Sequence, residues 1–97
     1  MVWTSGIWTV NPGHEDAFVA AWGEFARWSL EAFPGTHAWL LRDRDNRAVF
    51  MSVGPWPSHG DIEMWRRSLG FRERIERIRD LVASFEPRTL DEVLAIS

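Results

Sequence analysis

The segment GPWPSHGDIEMWRRSLGF, from Gly54 to Phe71, decides how this chain is assembled. A run of strand-forming residues ends at Gly54, and Pro55-Trp56-Pro57 reads as a turn. Ser58 is suited to cap a helix, and Asp61 three residues later completes a capping box. Ile62, Trp65 and Leu69 then share one face at helical spacing. Gly70 interrupts the helix and Phe71 opens another. A short, capped, broken helix with large aromatics on one face reads either as the wall of a pocket or as an ordinary core helix.

Upstream of this segment lies a hairpin. Thr36 to Arg42 and Arg47 to Val53 are apolar in nearly continuous runs, joined by a turn at Asp43-Arg44-Asp45-Asn46. Further back, Phe18, Ala21, Trp22, Phe25, Trp28, Ser29, Ala32 and Phe33 fall on one side of a helix. That helix is expected to start at Asn11-Pro12, with Asn11 as cap, and to stop at Pro34-Gly35. Val2 to Val10 is β-branched and aromatic and reads as the first strand. Downstream, Phe71 to about Phe85 reads as a helix, and Thr89 to Ile96 as the last strand.

The element order is therefore β-α-β-β-α-β with the second helix split. That is an α+β, ferredoxin-like arrangement of one four-stranded antiparallel sheet with its helices on one face. Ninety-seven residues are read as a single domain spanning positions 1–97. Strands with one wet face alternate, whereas the first three strands here carry bulky apolar residues on both sides. Two helical units cover one face only. A second copy of the chain, packed sheet to sheet as a homodimer, is the simplest way to cover the other.

Composition narrows the partners. The net charge of −3 argues against a nucleic-acid or anionic-membrane surface. Without cysteine there is no disulfide, thiolate nucleophile or Cys-ligated metal; without tyrosine there is no phenolic acid or base. His14, His37 and His59 are spaced as in no metal motif. No segment has the length of a membrane span or the pattern of an export signal, so a cytoplasmic protein is expected. Seven Trp and six Phe supply the apolar area for a core, an interface or a pocket for a flat ligand.

The stretches Gly6–Glu15 and Leu40–Val53, with Trp56-Pro57-Ser58 through Ile62, Trp65, Ser68 and Phe71, resemble the antibiotic-biosynthesis monooxygenases, a family of dimeric α+β barrels. The resemblance implies a cofactor-independent oxygenase or oxidase acting on a polycyclic phenol or quinol. The family's polyketide-oxygenase branch places Asn, Trp and Tyr where this chain has Asp61, Trp65 and Phe71. Trp65 matches; Asp61 and Phe71 depart from the pattern. The haem-degrading branch is matched less well, since its iron-ligating His falls on Ile75 and its Asn on Gly6.

On this reading Trp65 N–H is a donor to developing oxyanion charge and Asp61 a proton acceptor. Phe71, Trp39, Phe50 and Trp56 are pocket wall, and Arg88 holds an enolate or carboxylate. Two alternatives stay open. One is a non-catalytic dimeric module that binds a flat hydrophobic ligand. The other is a non-oxidative cyclase or isomerase acting on a polyketide-like substrate.

Overall fold

The computed structural model describes residues 1–97. Strand β1 (Val2–Val10) leads into helix α1 (Glu15–Ala32); strands β2 (Trp39–Arg42) and β3 (Val49–Trp56) form the hairpin. Helices α2 (His59–Arg67) and α3 (Leu69–Arg79) follow, and strand β4 (Val82–Asp91) closes the fold. The sheet is antiparallel with order β2-β3-β1-β4. This is the expected ferredoxin-like protomer, with all three helices on one face. No helix is long and apolar enough to cross a membrane.

Several element boundaries differ from the sequence reading, each for a local reason. Helix α1 starts at Glu15, with His14 rather than Asn11 before it, and no side chain caps it. Gly13 takes φ +87° and closes a turn in which His14 N–H donates to Asn11 C=O, so Pro12 lies outside the helix.

Strand β3 does not end at Gly54 but runs through Pro55 to Trp56. Pro55 is tolerated because β2 pairs only as far as Val53. Beyond that point Thr36 Oγ1 donates to Pro55 C=O at 2.7 Å, and Trp56 Nε1 donates to Thr4 Oγ1 at 3.0 Å.

The break between α2 and α3 is made by Ser68, not Gly70. Ser68 Oγ donates to Trp65 C=O at 2.7 Å and accepts from Phe71 N–H at 3.2 Å. It thus ends one helix and caps the next. Gly70 sits inside α3, where a Cβ would overlap the indole of Trp28. Glycine is there for close approach of α3 to α1. Arg74, one turn on, lies over the Trp28 ring at 4.6 Å and pairs with Glu24 at 3.1 Å.

The largest departure is at the C-terminal end. Helix α3 stops at Arg79, and the residues from Val82 to Asp91 form β4 along the whole length of β1. Helical spacing brings Phe85 onto the face of Ile75 and Ile78, but ladder pairing wins. Phe85 stacks on Trp8 instead, with ring centroids 3.7 Å apart and planes 11° from parallel. Pro87 fits because β4 is an edge strand.

The core lies between sheet and helices, with Trp8, Phe18, Phe25, Phe50, Ile75 and Ile78 at its centre. The opposite sheet face has no cover within the chain. Trp39, Leu41 and Met51 stand on it 51, 53 and 43% exposed, next to half-buried Ile7.

Replacing an exposed helical glycine by alanine ordinarily stabilises, by roughly 0.5–1 kcal/mol. Gly70→Ala is expected to destabilise instead, because its methyl overlaps Trp28; urea unfolding measures the sign. Phe18→Ala, at a fully buried site, is expected to cost about 3–5 kcal/mol in the same assay.

Candidate functional site

The inner face of the sheet and the three helices enclose a cavity of about 430 Å³. That volume suits a small multi-ring molecule. Helix α1 contributes Trp22, Phe25 and Ser29; α2 contributes Trp65 and Arg66; α3 contributes Phe71, Ile75 and Arg79. From the sheet come Thr4, Trp8, Ser52, Trp56, Phe85 and Thr89.

An aromatic stack ties these elements together. The Trp65 ring lies 4.7 Å from Trp56, 5.5 Å from Phe25 and 4.7 Å from Phe71. Each of these neighbours comes from a different element, so Trp65 is the point where sheet, α1 and α3 meet.

Of the residues marked from the sequence, Trp65, Trp56, Phe71 and Arg88 line this cavity. Three lie elsewhere. Trp39 projects from the opposite, uncovered face, in register with Val53. Phe50 is buried beneath the cavity against Phe18 at 4.9 Å, with Arg42 over its ring. Asp61 is in the first turn of α2, where its backbone N–H donates to Ser58 Oγ at 3.2 Å, and it is not part of the lining. Arg88 pairs with Ser5 on β1, which assigns it by alternation to the row of the uncovered face.

The indole N–H of Trp65 does not point at an open site. It donates to Ser29 Oγ at 2.9 Å, and Ser29 in turn donates to Phe25 C=O at 2.8 Å. Ser29 thus satisfies its own buried hydroxyl and holds Trp65 in place.

The hydroxyls of the lining carry no mark in the sequence. Thr4, Ser29 and Ser52 are short hydroxyls with no motif of their own. The one available signal was the number of Trp: a buried indole N–H needs an acceptor, so hydroxyls opposite Trp on neighbouring elements were candidates. Charge on the helix side of the lining is one-sided. Arg66 and Arg79 border the cavity, and no Asp or Glu does, although the chain has fourteen. Burial pulls the Arg66 guanidinium below its ordinary pKa.

Fold and site together define a ferredoxin-like α+β protein with an aromatic, cation-bordered cavity between its sheet and helices. The sequence pattern of the antibiotic biosynthesis monooxygenase family matches residues 1–77, and the chain belongs to that family. Solved structures with the same fold include a variant of SnoaB, a cofactor-independent oxygenase from Streptomyces nogalater. It is 21% identical, with TM-score 0.89, covering 98% of this chain and 95% of that one. A Deinococcus radiodurans protein assigned to the same family is 16% identical, with TM-score 0.88, covering 100% and 97%. A conserved protein from Methanosarcina mazei is 14% identical, with TM-score 0.83, covering 92% and 89%. No functionally curated protein matches the chain by sequence.

Ser29→Ala removes the acceptor of the Trp65 N–H. The variant is expected to lose about 1–3 kcal/mol of stability in urea unfolding, since the indole donor is left half-buried without a partner.

Proposed function

We propose that this protein is a homodimeric, cofactor-independent oxygenase whose substrate is a polycyclic phenol or a quinol. The observation that carries the reading is the cavity itself: aromatic walls from four elements, centred on Trp65, in a chain of this family. In such chemistry the substrate supplies the electrons. Loss of a proton makes it an electron-rich anion that reduces O₂. In a phenol of the anthrone type a ring CH₂ becomes a carbonyl: one oxygen atom enters that carbon, the other leaves as water, and the CH₂ supplies the four electrons. A quinol gives two electrons and two protons, becoming the quinone while O₂ becomes H₂O₂.

The protein's part is to bind the ring system, exclude water and stabilise the anion. Trp65, Trp56 and Phe71 bind the rings, while the bordering arginines favour negative charge. Asp61, four residues before Trp65 and outside the lining, would serve as proton acceptor only through movement of the α2 start.

A second reading, a dimeric module that binds a flat hydrophobic ligand without turning it over, draws on one specific observation. The lining holds neither a carboxylate nor a tyrosine, and its Trp65 N–H is already engaged. The same observation weakens a cyclase or isomerase, which needs a positioned acid and base.

The uncovered sheet face supports the dimer. Trp39, Leu41, Met51 and Leu90 are exposed there together. A contiguous apolar patch on a monomer rarely exceeds roughly 300–600 Å².

Oxygen uptake by the purified, chelator-treated protein with anthrones and hydroquinones tests the activity. Uptake above the uncatalysed rate is expected, reduced roughly tenfold or more in Trp65→Phe; uptake no faster than in buffer would overturn the oxygenase reading. Light scattering is expected to give twice the 11.3 kDa chain mass. Met51→Asp, which places a charge at the centre of the uncovered face, is expected to shift that to one chain.

A further inference from the structure

Three indoles of the cavity make the same hydrogen bond. Trp8 Nε1 donates to Ser52 Oγ at 2.9 Å, Trp56 Nε1 to Thr4 Oγ1 at 3.0 Å and Trp65 Nε1 to Ser29 Oγ at 2.9 Å. All six residues line the cavity. An indole can only donate, so each hydroxyl is left with one proton of its own to give. Ser29 gives its proton to Phe25 C=O. Thr4 and Ser52 give theirs to no group of the protein.

These two hydroxyls stand together. Thr4 is in register with Gly54 and Ser52 with Gly6, on the helix-facing side of the central strands β1 and β3. They are diagonal neighbours, with Cα atoms roughly 7–8 Å apart. Opposite Ser52, Gly6 has no side chain, and the Phe85 ring lies over it. The indoles that hold the hydroxyls are themselves fixed. Trp8 is stacked on Phe85, and Trp56 is packed between Phe33 and Trp65, each almost fully buried. An accepted hydrogen bond polarises a hydroxyl and makes it a better donor, and donors already in place need no reorganisation when charge appears.

Resting on the reading of this cavity as the ligand site, we infer that Thr4 and Ser52 bind the oxygen of an acidic aromatic hydroxyl and hold the ligand as its phenolate or enolate. The charge on the helix side favours the anion. Arg66 on α2 and Arg79 on α3 border the cavity, and no carboxylate of the lining opposes them. Arg66 makes no ion pair and is partly stripped of water, a cation that an anionic ligand would satisfy. The ligand's proton passes to solvent at the cavity mouth, so no protein carboxylate is required in the site. The residues at the floor, rather than the Trp65 indole, then set which molecules bind: planar ring systems whose hydroxyl ionises near neutral pH.

The probe is 2-hydroxyanthraquinone, which changes colour on ionisation and is not consumed by oxygen. Its ionisation midpoint is read by absorbance, free and in the presence of excess protein. On the wild-type protein the midpoint is expected about one pH unit lower, a tenfold stronger acid. Thr4→Val and Ser52→Ala are each expected to restore about half of that shift. Thr4→Ser and Ser52→Thr keep the hydroxyl and are expected to keep the shift, which separates donor loss from damage to the Trp packing. No binding of the dye, a bound midpoint at or above the free value, or a shift unchanged in both donor-deleting variants would overturn the inference. A lowered midpoint without oxygen uptake on anthrones would sink the oxygenase reading and leave this one standing.

Discussion

The bond from Trp65 Nε1 to Ser29 Oγ is the constraint on which the cavity depends. It joins α2 to α1 at a fixed separation, and Ser29 is anchored in turn to the backbone of its own helix. With Trp65 held there, Phe25, Trp56 and Phe71 pack around its ring from α1, β3 and α3. Ser68 then turns the chain immediately after α2, so that Phe71 returns to the same ring. The aromatic wall is therefore one unit built from four elements.

Much of this arrangement is legible in the sequence. Periodicity locates α1, and bulky apolar residues at both odd and even positions of β1 and the hairpin point to a sheet apolar on both faces. These signals are strong because burial repeats them over many residues. What failed was local. Helical spacing through Phe85 is a property of the sequence in isolation, whereas β4 forms because β1 offers a full ladder for Val82 to Asp91. Gly70 looked like a helix breaker because glycine usually is, and its true partner, Trp28, is forty-two positions away. Long-range contacts of this kind leave no trace in a short window.

The site was half visible for the same reason. Trp65, Trp56 and Phe71 belong to one segment and were found together. Trp39 and Phe50 are also aromatic and near in sequence, but strand alternation sends Trp39 to the far face, and Phe50 packs below the cavity. The hydroxyls were invisible because Thr4, Ser29 and Ser52 gain their meaning only from the indole opposite each. The chain thus divides its polar work between residue types. Tryptophan supplies flat apolar wall and one N–H each, and small hydroxyls on other elements take up that N–H.

The closeness of Trp56 and Trp65 has an optical side. Their rings lie 4.7 Å apart with planes inclined at 46°. Two identical chromophores at that distance and tilt share their electronic excitation, and the coupled transitions give circular dichroism of paired, opposite sign in the ultraviolet. With no tyrosine in the chain, the near-ultraviolet absorption belongs largely to indole. The coupled pair stands at the wall of the cavity, so a change in the packing around Trp65 would show in the coupling.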